Sequence, residues 1–140
     1  MYRNEKFSVP ENVYIIGTMN TADRSLAMLD YALRRRFAFY DVNPGFDTDG
    51  FKKYQATIKN SKFNNLINCV KKLNVAIADD ETLGSGFCIG HSYFCELKQN
   101  PDRELMDIVE FEIIPLIKEY WFDEQSKVDE WVSNLRNSIK

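Results

Sequence analysis

Residues 1–46 read as the edge of an α/β sheet, and residues 47–140 read as a mostly helical subdomain. Three observations predict this division. Val13-Tyr-Ile-Ile-Gly-Thr18 is a nearly continuous β-branched and aromatic run of strand length, as expected of a strand buried on both faces. A short helical stretch and a second such run, Phe37-Ala-Phe-Tyr-Asp-Val42, follow it with brief links. From Phe63 onward the apolar residues recur at helical spacing instead.

Pro10 precedes the first strand and a polar turn follows it. Ser25 is placed to cap a short helix that runs through Arg34, with Leu26, Leu29 and Leu33 on one face. Asn43-Pro-Gly45 ends the second strand. Strand, helix and strand with short links form an α/β pattern with parallel strands. Two strands and one helix cannot enclose a core, so these residues are expected to be the end of a larger sheet. Val13, Ile15, Phe37 and Phe39 would then lack neighbours, which predicts a weak segment prone to pair through its strand edges.

In the second part, Phe63, Leu66, Ile67, Val70, Leu73 and Ile77 predict an amphipathic helix over 61–79. The Gly-rich stretch Leu83-Gly-Ser-Gly-Phe-Cys-Ile-Gly90 breaks it and is expected to form a short strand or hairpin. Pro101 fits the first turn of another helix, continued by Leu105, Ile108, Val109 and Glu112 to Ile117. Pro115 should kink or split that helix near Phe111. Val128, Trp131, Val132, Leu135 and Ile139 define a last helix. Tyr120, Trp121, Phe122 and Trp131 read as core aromatics more readily than as a partner groove. Lys52-Lys53 and Lys71-Lys72 read as solvated helix faces, and Asp79-Asp80-Glu81 as a solvated helix end.

The chain is 44% hydrophobic and 28% charged, with a formal net charge of -3, a composition of globular proteins. The net charge argues against coating nucleic acid nonspecifically. No apolar run approaches the roughly 18–20 residues of a membrane span, and the first residues do not resemble a signal peptide. Three cysteines without framework spacing suit a reducing, cytoplasmic compartment.

The densest chemistry lies in Gly17-Thr-Met-Asn-Thr-Ala-Asp-Arg-Ser25. Ligands of open parallel sheets sit at the carboxyl ends of strands, so Asn20 is placed to orient a water or touch a phosphate, with Asp23 and Arg24 close behind. The plainer reading is a polar turn in which Asp23 and Ser25 compete to cap the helix. Arg34, Arg35 and Arg36 form the second group. Guanidinium groups suit triphosphate oxygens and developing transition-state charge, and they also complement the dipole at a helix C-terminus.

Together these two motifs resemble the second half of an AAA+ module, and most closely the McrB family. That family is the GTP-dependent motor subunit of modification-dependent, 5-methylcytosine-specific restriction systems. The likeness extends to Phe7-Ser-Val-Pro-Glu-Asn12, Asp30-Tyr-Ala-Leu33, Pro44-Gly-Phe46, Gly86-Phe-Cys-Ile-Gly-His-Ser-Tyr-Phe94 and Ile114-Pro-Leu, leading into Glu119-Tyr-Trp-Phe-Asp123. The resemblance implies an incomplete AAA+ module: the last strands of the P-loop-type sheet over 1–46, then a helical lid over 47–140. It implies that Asn20 is the sensor 1 residue and that Arg35 and Arg36 are arginine fingers reaching a neighbour's nucleotide. Asp23, Arg24 and Arg34 would belong to the same nucleotide site or interface. The Gly86–Phe94 stretch lies where AAA+ lids often carry a sensor 2 arginine, but it holds His91 and no arginine.

The family also implies GTP and Mg2+ in the full-length protein, identical neighbours in a ring (a hexamer), a McrC-like endonuclease partner, and DNA bound through domains outside this chain. Asn20-Thr-Ala-Asp23 resembles the guanine-reading element of many GTPases as well, although its position favours the γ-phosphate over the base. The sequence contains no G-x-x-x-x-G-K-[ST] loop, nor an apolar strand ending in paired acids. Alone it is expected to be inactive and to bind no cofactor. Cys88-x-x-His91-x-x-x-Cys95 supplies too few ligands for a structural zinc site. An AAA+ ATPase of other biology, or an interaction or nucleic-acid-binding module, are the alternative classes.

Overall fold

The computed structural model describes residues 8–19, 35–98 and 100–140. Helix α1 spans Asp49–Ile58 and α2 spans Ser61–Ala78. Two 3₁₀ turns, Ser85–Phe87 and His91–Phe94, follow. Helix α3 is Pro101–Ile108, and it passes through a π-helical turn, Val109–Ile113, into α4, Ile114–Tyr120. Helix α5, Gln125–Ser138, closes the chain and packs along α2. No helix among the described residues is long and apolar enough to cross a membrane.

Helices α1, α2 and α3 each start where the sequence supplies a cap. Thr48 accepts the Phe51 amide for α1, and Asn60 accepts the Phe63 amide at 3.0 Å for α2, satisfying donors that a helix start leaves open. Asn60 also donates to Asp102 at 2.7 Å, which ties the start of α2 to the start of α3. Asn100 caps α3 with Pro101 in its first turn, where the missing N–H costs nothing. Helix α1 ends on Lys59 in the left-handed conformation, φ 51°.

The predicted break at Pro115 takes a specific form. Proline brings no N–H to the ladder, and the turn ahead of it widens, so that Ile114 donates to the Val109 carbonyl. Val109, Ile113, Ile114 and Ile117 are all buried, so the wide turn keeps the apolar residues on both sides of the proline in the core.

Every buried residue among those described lies between Phe46 and Ile139. The α2 stripe predicted from spacing is the centre of this core: Phe63, Leu66, Val70, Leu73 and Ile77 are each fully buried. Trp121 is buried, Tyr120 and Trp131 pack partly against the core, and Phe122 is exposed.

Three expectations need correction. The strands over 13–18 and 37–42 are not formed, since no residue described there belongs to a strand. Val13, Ile15, Ile16, Phe39 and Val42 are exposed. A strand exists only by pairing with another, and no ladder partner stands beside these runs among the described residues. The helix expected over 25–34 lies outside the described residues. The stretch 83–90 is a 3₁₀ turn with flanking loop and neither a strand nor a hairpin; Asn74 of α2 bonds the amide and the carbonyl of Ile89 within it.

Asp80, expected in solvent, is the third. Its side chain is only 7% exposed, and it accepts from Trp121 Nε1 at 2.8 Å and from Lys127 at 2.7 Å.

Candidate functional site

Of the residues singled out in the sequence, Asn20, Asp23, Arg24 and Arg34 lie outside the described residues. Arg35 and Arg36 are described and exposed. They precede Phe37, itself 46% exposed, on a stretch that contributes nothing to the buried core.

His91 opens the second 3₁₀ turn. Its Nδ1 accepts the backbone N–H of Gly45 at 2.9 Å, so that nitrogen carries no proton. Phe46 and Phe51 set their rings edge-on to the imidazole, with centroids 6.2 and 5.8 Å away. The imidazole thus joins the entry of the helical part to the Gly86–Phe94 stretch. A nucleotide contact by His91 would have only Nε2 left to use.

The stretch around His91 is held from three sides. Asn74 donates to the Ile89 carbonyl at 2.9 Å and accepts the Ile89 amide at 2.7 Å. Tyr120 donates its hydroxyl to the Phe87 carbonyl at 3.0 Å. Burial, with smaller contributions from Tyr93 and Glu119, pushes the Tyr120 phenol up to about 12, so it stays a donor at any physiological pH. The Cys95 thiol reaches the His91 carbonyl at 3.2 Å.

Cys88 and Cys95 are free thiols raised by burial. Among the described residues no group of three or more His, Cys, Asp or Glu could hold a metal ion.

Two surface grooves flank these elements. One of about 560 Å³ is lined by Tyr93, Glu96, Lys98, Glu104, Asp107 and Glu112, among others; its four carboxylates against one lysine disfavour a triphosphate. The other, about 450 Å³, lies between α1 and α2 over Lys52, Gln55, Lys59, Asn64 and Asn68.

The helical part has counterparts of known kind. Residues 65–129 match the family model described as McrB, alpha-helical lid domain. Over 138 residues the chain is 51% identical to the EcoKMcrB subunit of a type IV methyl-directed restriction enzyme from Escherichia coli K12, a match to 94% of this chain. The chain is of the McrB type. The part matched as an McrB lid runs from within α2 into the start of α5, and all of the buried α2 stripe except Phe63 lies inside it. The chain spans 30% of the length of the Escherichia coli subunit.

What the sequence did not reveal is the partner of His91 and the burial of Asp80. The lone histidine in a Gly-rich stretch was a visible signal. Its partner, a backbone amide in Pro44-Gly-Phe46, carries no side chain and so no signature of its own.

Proposed function

We propose that this chain is the C-terminal part of the motor module of a McrB-type AAA+ GTPase, comprising the end of its α/β core, residues 1–46, and its helical lid, residues 47–140. In the full-length protein GTP and Mg2+ would be bound mainly by upstream residues that provide the phosphate-binding loop. Asn20 would act as sensor 1, orienting the attacking water. Arg35 and Arg36 would enter the nucleotide site of the adjacent subunit in a hexameric ring, with Asp23, Arg24 and Arg34 at the same site or interface. Hydrolysis would drive DNA translocation and cleavage by a McrC-like endonuclease subunit.

The observation that carries this reading is the extent of the match to the restriction subunit. At 94% of the chain it leaves too few residues outside it to miss the segment from Gly17 to Arg36. That segment holds an asparagine after an apolar run and paired arginines before the next, which is the chemistry that phosphoryl transfer asks of a sensor and a finger. The exposure of Arg35 and Arg36 suits a role in trans, because a side chain buried in its own lid could not cross an interface.

The test is nucleotide turnover by mixed full-length proteins. One carries Arg35→Ala and Arg36→Ala, and the other lacks its phosphate-binding lysine. Each is expected to be nearly inactive alone, and mixing is expected to restore GTP hydrolysis. Normal GTP hydrolysis by the arginine variant alone would sink the assignment. Comparing GTP with ATP in the unmutated protein separates this reading from an ATPase.

A further inference from the structure

We propose that His91 is a positioning residue: its bond to the Gly45 amide fixes where the arginine-bearing segment leaves the lid, and so couples the lid to Arg35 and Arg36. This rests on the reading of those arginines as acting on a neighbour's nucleotide.

The joint sits at the point where the buried core begins. Gly45 precedes Phe46, which is 4% exposed and meets Phe51 edge-on at 5.3 Å. Just ahead of the joint, Asp41, Val42 and Asn43 are exposed. Both polar groups of Gly45 are taken. Its N–H goes to His91 Nδ1 at 2.9 Å, and its carbonyl accepts the Thr48 hydroxyl at 2.7 Å and the Thr48 amide at 3.2 Å. Beside it, Asp47 pairs with Lys71 of α2 at 2.8 Å.

Gly45 is required here by approach and not by its backbone angles. A Cβ at this position would lie 3.0 Å from His91 Cε1 and 3.2 Å from each ring nitrogen. The imidazole therefore lies flat against the glycine, and its direction is set by Phe46 and Phe51. His91 is in turn anchored to the lid core, since Ile89, two residues earlier, is clamped by Asn74 of α2. A continuous path thus runs from α2 through Asn74, Ile89 and His91 to Gly45. Pro44, with its fixed φ, restricts the backbone immediately ahead of the joint, on the side of the chain that leads to Phe37 and Arg36.

A ring is needed to fill the space, and an acceptor is needed to hold the amide. Histidine provides both. The two requirements can be separated, because phenylalanine keeps the ring without the acceptor, whereas asparagine places an oxygen close to where Nδ1 stands.

The test compares His91→Phe with His91→Asn, first in this chain by amide hydrogen exchange. In His91→Phe the Gly45 amide should exchange about tenfold faster, the scale of one lost net hydrogen bond, while the α2 amides keep their protection. In His91→Asn the Gly45 amide should stay protected to within a fewfold. Unchanged Gly45 protection in His91→Phe overturns the proposal. If His91→Phe loses α2 protection as well, Gly45→Ala replaces it, because its Cβ pushes the ring off the joint from the other side.

The second readout is GTP turnover by the full-length protein. His91→Phe is expected to lower kcat with KM little changed, and His91→Asn to restore it. An open joint with normal kcat overturns the coupling. If Arg35→Ala with Arg36→Ala also leaves turnover normal, the finger reading itself has failed, while the exchange result still defines the joint.

Discussion

Trp121 donates its indole N–H to Asp80 at 2.8 Å, across the turn that follows α2 and the turn that follows α4. The same Oδ2 receives Lys127 of α5 at 2.7 Å, and Oδ1 accepts the Thr82 hydroxyl at 2.7 Å and the Thr82 amide at 2.9 Å. Lys127 also stands 4.4 Å from the Trp121 ring centroid, within cation–π range. One carboxylate thus closes three segments of the lid.

Asp80→Ala should be among the most damaging single changes outside the apolar core. It leaves the buried Trp121 indole N–H without its acceptor and removes one of the two carboxylate partners of Lys127, Glu124 remaining at 3.5 Å, at a cost of roughly 1–3 kcal/mol. Thermal unfolding monitored by Trp fluorescence measures this, and a loss under half a kcal/mol would contradict it.

The same carboxylate gives the lid an acid limit. Hydrogen bonds from Lys127 first, then Thr82 and Trp121, hold the Asp80 carboxyl well below the usual carboxylate range. Its folded pKa is depressed, so its contribution is fully present above the unfolded value and is lost as pH falls through the folded one. Urea midpoints should therefore decline below about pH 4, and less steeply in Asp80→Asn.

Asn74→Ala should free the stretch that carries His91. Two backbone groups of Ile89 lose their partners, and Ile89 is 1% exposed, so a cost of about 2–3 kcal/mol is expected. Asn74→Asp keeps the acceptor for the Ile89 amide and loses the donor, so it should fall between alanine and the native residue in denaturant unfolding.

Lys59→Gly should stabilise the lid. Lys59 ends α1 with φ 51°, a conformation that costs an L side chain roughly 1 kcal/mol and glycine almost nothing. A rise of about 4–8 °C in melting temperature would correspond to that amount in a domain of this size. A fall would mean that the lysine side chain makes a compensating contact.

Arg35→Ala should leave the thermal stability of this chain within about 0.5 kcal/mol of native, as is usual for exposed positions. That outcome makes a loss of GTP turnover in the full-length arginine variant attributable to chemistry. A large loss of stability would instead point to a structural role for the segment.

The helices of the lid were legible in the sequence because their information is local. The spacing from Phe63 to Ile77, Pro101 in a first turn, and Pro115 each act within a few residues of chain, and each element stands close to where they predict it. The match to McrB was legible for a similar reason, since its motifs are short and contiguous. The strands over 13–18 and 37–42 show the converse. Their composition states a preference, but the preference is realised only by a neighbouring ladder that these residues do not contain.

What only the tertiary structure decided are the pairings between distant residues that leave no mark on either partner. Asp80 looked like one acid in a solvated run until Trp121 and Lys127 were folded over it. His91 looked like an isolated histidine until the Gly45 amide was brought beneath its ring. Periodicity reports which face of a helix is apolar, because that depends on the helix alone. Which polar atom is left facing which other depends on how the helices pack, and packing is settled by the summed fit of the whole core.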